Sequence, residues 1–228
     1  MAFITLTNTG YIDYTLNCYK SLKNIGFDVP LHSYCIGKEG YNILVKNNHP
    51  CTLIDDEKNS DFHLFRHDVN WSNITHTKIV IIYENLKKYD YVCITDGDIV
   101  FENKNFYKYL LDNIKDNDML IQSEALDGDC NNLVCSGFIF LKSNEKTLKL
   151  FNPKNTYEYS YTIGWDEQIY VNKIKNQLKY KILPLELFPN GRYYYKYAEK
   201  IKPFMIHFNW LIGHEKKDKM IKYNKWLI

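Results

Sequence analysis

The run Tyr91-Val92-Cys93-Ile94-Thr95-Asp96-Gly97-Asp98-Ile99-Val100-Phe101 constrains this chain most. It opens with five residues rich in β-branched and aromatic types, which reads as a short buried strand. Two carboxylates one residue apart close that strand, and a second apolar run follows. Gly97 is expected to let the backbone turn where the strand stops. Open α/β sheets bind ligands at the carboxyl ends of their strands, where Asp96 and Asp98 would then sit. Two ionised aspartates so close repel each other, and a divalent cation with a taste for hard oxygen ligands, Mg²⁺ or Mn²⁺, relieves that repulsion. The plain alternative is a loop carrying two solvated aspartates.

The segments before this run alternate strand and helix. Phe3 to Leu6 reads as a strand, and Tyr11 to Asn24 as a helix with Leu16, Tyr19 and Leu22 at helical spacing and Gly26 as its stop. Leu31 to Ile36, Gly40 to Lys46 and Cys51 to Ile54 read as strand, short helix and strand. This β-α-β-α-β order predicts a parallel sheet. Asp55 to Trp71 is polar and irregular, and Ser72 or Asn73 is expected to cap a helix reaching Lys88, with Ile74, Ile81, Ile82 and Leu86 on its apolar side. After Phe101 the pattern predicts a helix over Asn105 to Ile114 and strands at Met119 to Gln122 and Ser136 to Leu141. An acidic, Asn-rich loop from Glu124 to Asn132 precedes the second of these. A helix over Trp165 to Gln177, strands at Tyr180 to Leu183 and Phe204 to Phe208, and a basic helix over Lys216 to Trp226 complete the reading.

Composition narrows the function. With 45% hydrophobic and 25% charged residues in 228, the chain can build a real core. A net charge of +2 argues against a dedicated nucleic-acid binder. The six cysteines, Cys18, Cys35, Cys51, Cys93, Cys130 and Cys135, form no Cys-x-x-Cys pair, so reduced buried thiols in an intracellular compartment are expected and a zinc site is not. The N-terminus carries no secretory signal pattern, and no apolar run approaches the length of a membrane span.

Several landmarks fall in one order: Thr5-Leu6-Thr7-Asn8-Thr9-Gly10-Tyr11, Asp96-Gly97-Asp98, Cys135-Ser136-Gly137-Phe138, Gly164-Trp165-Asp166-Glu167-Gln168, and His207-Phe208-Asn209-Trp210-Leu211-Ile212-Gly213 with Lys216-Lys217. Together they resemble the nucleotide-diphospho-sugar glycosyltransferases of the GT-A fold. The likeness is greatest to the retaining enzymes related to plant α-xylosyltransferases, and more distant to glycogenin-like and lipopolysaccharide galactosyltransferase relatives. The resemblance covers most of the chain. It implies a single α/β, Rossmann-like GT-A domain over residues 1–228, with a central, mostly parallel sheet flanked by helices.

The resemblance also implies roles. Thr5, Asn8, Thr9 and Tyr11 would hold the nucleotide, a uridine one, and Lys78 would reach the donor sugar or phosphate. Asp96, Asp98 and His207 would bind Mn²⁺, with Mg²⁺ as the other choice. Gly213 and Lys217, or its neighbour Lys216, would contact the diphosphate. Ser136 and Gly137 would floor the site, and Asp166, Glu167 and Gln168 would line the sugar as the catalytic set. The reaction expected is transfer from a UDP-sugar to a hydroxyl of a glycan or protein acceptor, with retention. The chemistry fits the residue types, because a cation and a lysine stabilise the departing diphosphate more in the transition state than in the ground state. Relatives in the Golgi carry an anchor, so a cytoplasmic enzyme, bacterial or viral, is expected here, with a homodimer as the common assembly.

Other readings stay open at this point. An apolar strand followed by Asp96-x-Asp98-x-Val100 also describes haloacid-dehalogenase phosphatases, with Asp96 as nucleophile. A sugar-nucleotide or glycan-binding module without turnover is a third class. His207 in an apolar strand is ordinarily a satisfied core group. Asp166 and Glu167 read equally as a helix start, and the basic C-terminal helix, with Met220, Ile221 and Trp226 on one side, as a membrane-surface helix. Tyr193-Tyr194-Tyr195 beside Arg192 reads either as acceptor-stacking aromatics or as core.

Overall fold

A computed structural model of the chain describes residues 1–55, 69–125 and 132–228, with the side chains of 55, 69 and 70 left out. The polar stretch expected from Asp55 to Trp71 and the Asn-rich loop lie largely outside the described residues. A seven-stranded sheet organises the rest. Its strands are β1 (Ala2–Asn8), β2 (Leu31–Ile36), β3 (Cys51–Asp55), β4 (Tyr91–Thr95), β6 (Met119–Ser123), β7 (Val134–Lys142) and β8 (Tyr180–Ile182). The order across the sheet is β3-β2-β1-β4-β7-β6-β8. β7 alone runs antiparallel, pairing β4 on one side and β6 on the other. The sheet is therefore mostly parallel, as the alternation of the first half requires. A separate ribbon pairs β5 (Ile99–Phe101) with β9 (Met205–His207), setting Ile99 opposite His207.

The strands are apolar almost throughout because both faces are covered. Successive residues alternate between two cores. Ile4, Val92, Ile94, Met119, Ile121, Ile139 and Leu141 face α3 (Val69–Leu86), α5 (Glu145–Leu150) and α6 (Glu167–Ile174). Phe3, Cys93, Leu120, Phe138 and Phe140 face α1 (Ile12–Asn24) and α4 (Asn105–Ile114), where Phe106, Leu110 and Ile114 are buried. Burying one such Phe contributes about 2–3 kcal/mol. A third cluster joins Tyr14, Val100, Ile206 and Phe208 to Tyr194 of α7 (Gly191–Tyr197) and Met220 of α8 (His214–Lys222). The remaining helix, α2 (Lys38–Lys46), lies against β3 and β2.

Several expectations are corrected. Ser72 and Asn73 do not cap α3, which already runs from Val69. The Ser72 hydroxyl instead donates to the carbonyls of Thr162 and Trp165 at 2.6 and 2.9 Å, tying the helix to the segment before α6. Gly97 does lie in the turn that follows β4, but it needs no left-handed backbone angle there. Its need is space, because a Cβ there would lie 2.8 Å from Thr15 Oγ1 on α1. Gly26 behaves as expected: at φ 65 it follows α1, its amide donates to Lys23 O, and Phe27 N donates to Leu22 O. Helix α5 was not anticipated, although Asn144 and Thr147 form a reciprocal capping box at its start. Helix α7 was not anticipated either. Asn190 caps it, its side chain accepting from Tyr193 N at 3.0 Å. The apolar residues of the C-terminal segment divide: Met220 is buried and the Trp226 ring packs edge-on to Tyr14 at 5.4 Å, whereas Ile221 is exposed. Among the described residues no helix is long and apolar enough to cross a membrane.

Candidate functional site

Strand β4 delivers Asp96 and Asp98 at the carboxyl edge of the sheet, and β9 delivers His207 beside them. One ligand atom from each of the three lies within 4.8 Å of the others. His207 Nε2 is 3.2 Å from Asp98 Oδ1 and 3.8 Å from Asp96 Oδ2. The other imidazole nitrogen, Nδ1, is 2.8 Å from Gln122 Oε1. Gln122 is fully buried, and its amide nitrogen donates to the carbonyls of Phe188 and Pro189 at 3.2 and 2.9 Å. The Gln122 oxygen is therefore fixed as an acceptor, so Nδ1–H donates to it and Nε2 is the nitrogen turned toward both carboxylates. Gly137 completes the pocket: a Cβ there would sit 2.2 Å from His207 Cε1 and 2.8 Å from Asp96 Oδ2. Two carboxylate oxygens and an imidazole nitrogen, in a space that admits no methyl group, suit Mn²⁺ or Mg²⁺.

Two lysines neutralise the carboxylates. Lys78, buried on α3, donates to Asp96 Oδ1 at 2.6 Å and to Glu167 Oε1 at 2.8 Å. Burial depresses its ammonium, but the two carboxylates outweigh that and hold its pKa well above the usual lysine range. Lys216, in the first turn of α8, bonds to Asp98 Oδ2 and to the Tyr11 hydroxyl. Burial pushes the Asp98 carboxyl up, yet Lys216 and His207 beside it hold it well below the ordinary range. Tyr11 donates to the same Asp98 oxygen at 3.3 Å, and burial followed by Asp98 and Asp96 raises its phenol.

On the far side of Lys78, α6 closes the network. Asp166 caps this helix by accepting from Ile169 N at 2.9 Å, which is the plain helix-start role. Glu167 accepts from the Ser136 hydroxyl at 2.9 Å as well as from Lys78. Burial raises its carboxyl, partly offset by Lys78. Gln168 Oε1 accepts from Ser136 N at 3.1 Å.

The expected residues thus divide. Asp96, Asp98, His207, Lys78, Tyr11, Ser136, Gly137, Glu167 and Gln168 meet in one connected network, and Asp166 adjoins it through α6. Thr5 and Thr9 do not join it: Thr5 is wholly buried in β1, and the Thr9 hydroxyl accepts from Gly40 N at 3.2 Å. Asn8 stands at the end of β1. Gly213, at φ 55 and ψ −136, opens α8 in a conformation that side-chain-bearing residues rarely adopt, and its carbonyl accepts from the Tyr14 hydroxyl at 3.2 Å. Of the two lysines, Lys216 rather than Lys217 reaches the carboxylates; the Lys217 ammonium lies over the Trp226 ring at 4.4 Å. The Tyr193-Tyr194-Tyr195 run also divides, with Tyr194 buried in the third cluster and Tyr195 packed against it. A surface depression of about 490 Å³, lined by Lys115, Asp118 and Lys142, lies at the opposite end of the strands, away from this chemistry.

Gln122 escaped sequence reading, although a lone amide inside the apolar strand Met119–Ser123 was the available signal. Lys216 was separable from Lys217 only by its spacing from Gly213 along α8.

A family profile described as nucleotide-diphospho-sugar transferase matches residues 35–221. A curated Dictyostelium discoideum protein, UDP-galactose:fucoside alpha-3-galactosyltransferase, is 25% identical over 282 aligned positions. That alignment takes in 99% of this chain and 43% of the relative, so the chain spans less than half of the relative's length. The crystal structure of the galactosyltransferase LgtC with donor and acceptor sugar analogues superposes with a TM-score of 0.61 at 14% identity, over 91% of this chain and 86% of that one. Mouse xyloside xylosyltransferase 1 in its apo form gives a TM-score of 0.58 at 11% identity, over 93% and 98%. At such identities these two likenesses speak for the fold, which is GT-A. The chain belongs to the nucleotide-diphospho-sugar transferase family.

Proposed function

We propose that this chain is a glycosyltransferase, moving a sugar from a UDP-sugar to an acceptor hydroxyl with retention, and that it depends on a divalent cation, Mn²⁺ before Mg²⁺. One observation carries the metal assignment: Asp96, Asp98 and His207 bring ligand atoms within 4.8 Å of one another, with Gln122 turning the imidazole Nε2 toward the carboxylates. The bound ion supplies charge stabilisation to the departing diphosphate.

The chain's own residues do the rest. Lys216 neutralises Asp98 until the donor arrives, and then turns its ammonium to the diphosphate. Gly213 and the amides opening α8 add donors on the same side. Tyr11, Asn8, Thr5 and Thr9 shape the nucleotide's wall, the two threonines from beneath. Lys78 holds Asp96 and Glu167 in place beside the sugar. Ser136 and Gln168 fix the floor.

Retention needs either a covalent intermediate or attack from the leaving-group face. Asp166 is engaged in capping its helix and Glu167 in bonds to Lys78 and Ser136. That engagement favours attack from the leaving-group face. The bond from the anomeric carbon to phosphate oxygen breaks, and the bond to the acceptor oxygen forms. The acceptor's proton passes to the diphosphate.

The curated relative is named for UDP-galactose and a fucoside, so those are the first donor and acceptor to test. Release of UDP from UDP-galactose, UDP-glucose and UDP-xylose, with and without Mn²⁺, is the assay. Mn²⁺-dependent release from one donor, accelerated by an acceptor glycoside, is expected. No release from any donor under either condition would overturn the reading.

A further inference from the structure

Six residues join His207 at the end of β9 to His214 at the start of α8, so both ends of this connector enter the site. Phe208 is fully buried. Asn209 is fixed: its Oδ1 accepts from Gly191 N at 2.7 Å and its carbonyl from the Tyr195 hydroxyl at 3.4 Å. Trp210 then turns outward, 44% exposed, with a φ of 66°. The other non-glycine residues with positive φ among those described are Asn48 and Asn224, of a type that tolerates this conformation. An indole has no such excuse. A single exposed apolar side chain needs no explanation, but one that is also strained does. The ring is braced as well, with the Arg192 guanidinium 3.7 Å from its centroid.

We propose that Trp210, braced by Arg192, is the platform on which the acceptor glycoside stacks. The inference rests on the transferase reading above. A pyranose offers a face of C–H groups that packs on an indole, and the guanidinium N–H groups beside it suit sugar hydroxyls. Trp210 is three residues from His207, so the two Cα atoms lie within about 10 Å. That places the platform beside a sugar held at the metal site. Ile212, 59% exposed, extends the apolar lip. The class of ligand is a monosaccharide glycoside, and a 6-deoxy sugar such as fucose adds a methyl group to the apolar surface.

The test uses the whole chain with UDP and Mn²⁺, titrated with the methyl glycosides of fucose, galactose, glucose and xylose by saturation-transfer NMR. One of them should bind the wild type. Trp210→Asn, which keeps a residue suited to positive φ, should weaken that binding at least tenfold, and Trp210→Phe much less. The rise in melting midpoint with UDP and Mn²⁺ should stay as in the wild type, showing that the fold and donor site are intact. Equal glycoside binding by the wild type and Trp210→Asn overturns the proposal. So does binding of none of the four while UDP and Mn²⁺ still raise the midpoint. Absence of that rise in the wild type sinks the transferase reading itself, and the platform with it.

Discussion

The side-chain oxygen of Gln122 lies 2.8 Å from Nδ1 of His207, across 85 residues of sequence. A strand in the far half of the sheet thereby sets the tautomer of a histidine on a separate ribbon. Without that acceptor the imidazole is free to present either nitrogen to Asp96 and Asp98.

Replacing Gln122 therefore weakens cation binding without touching a ligand. Gln122→Leu should raise the Mn²⁺ dissociation constant about 10–100-fold, the usual cost of losing such a partner. Gln122→Glu keeps an oxygen acceptor for Nδ1–H and should lose less. Titration of free Mn²⁺ by electron paramagnetic resonance reads both. Equal Mn²⁺ affinity in the Leu variant would remove Gln122 from the account.

Gly137 supports the same site by leaving room. A Cβ at this position meets His207 Cε1 at 2.2 Å, and the imidazole has no flexible end with which to yield. Gly137→Ala should cost about 1–3 kcal/mol of stability and most of the Mn²⁺ binding. Urea unfolding and the same Mn²⁺ titration check it. A wild-type response in both would mean that the space is not needed.

The two adjacent lysines at the start of α8 should behave differently. Lys216 touches Asp98 and Tyr11, whereas Lys217 lies over Trp226. Lys216→Met should weaken UDP binding about tenfold to a hundredfold, the worth of one charged hydrogen bond. Lys217→Met should leave UDP binding nearly unchanged. Calorimetric titration with UDP at saturating Mn²⁺ separates them, and the reverse ranking would move the diphosphate contact to Lys217.

His49 gives the fold an acid-sensitive point remote from the site. It is buried, with Nε2 2.6 Å from Ser33 Oγ, and burial, aided by His32, lowers its pKa to about 4. A base with a depressed native pKa keeps its native state favoured above the unfolded pKa of about 6.5 and loses that advantage as pH falls toward 4. The loss is on the order of 3 kcal/mol. His32 and His76 shift in the same direction, also through burial, so the difference between wild type and His49→Gln isolates this residue. Stability of the variant should fall less between pH 6.5 and 4 in urea titrations; parallel curves would exclude His49 as the source.

Much of this arrangement was legible in the residues because periodicity and burial agree. The strand run through Tyr91 to Thr95 is apolar on both faces, and both faces are covered. The carboxylates follow at its end, where parallel sheets gather ligands. The sequence reading failed where meaning lies between distant residues. Gly97 sits in the expected turn but also answers to Thr15 across the gap to α1, and Ser72 answers to carbonyls some ninety residues on rather than to its own helix. Gln122 has value only once His207 is beside it. Helix α7 begins Gly-Arg-Tyr-Tyr-Tyr, a sequence with little intrinsic helical preference, and it forms because Tyr194 and its neighbours pack against Phe208 and Tyr223.

The claim on which all of this depends is that Asp96, Asp98 and His207 hold a cation that in turn holds the donor's diphosphate. The most direct measurement is the melting midpoint of the wild type and Asp98→Ala with UDP alone, Mn²⁺ alone and both together. Both ligands together should stabilise the wild type beyond either alone, by about 2.7 kcal/mol at a hundredfold excess over the dissociation constant. Asp98→Ala should show no such joint effect. A wild type that gains the same stability from UDP without Mn²⁺, or an Asp98→Ala variant that keeps the full joint gain, would contradict the metal site.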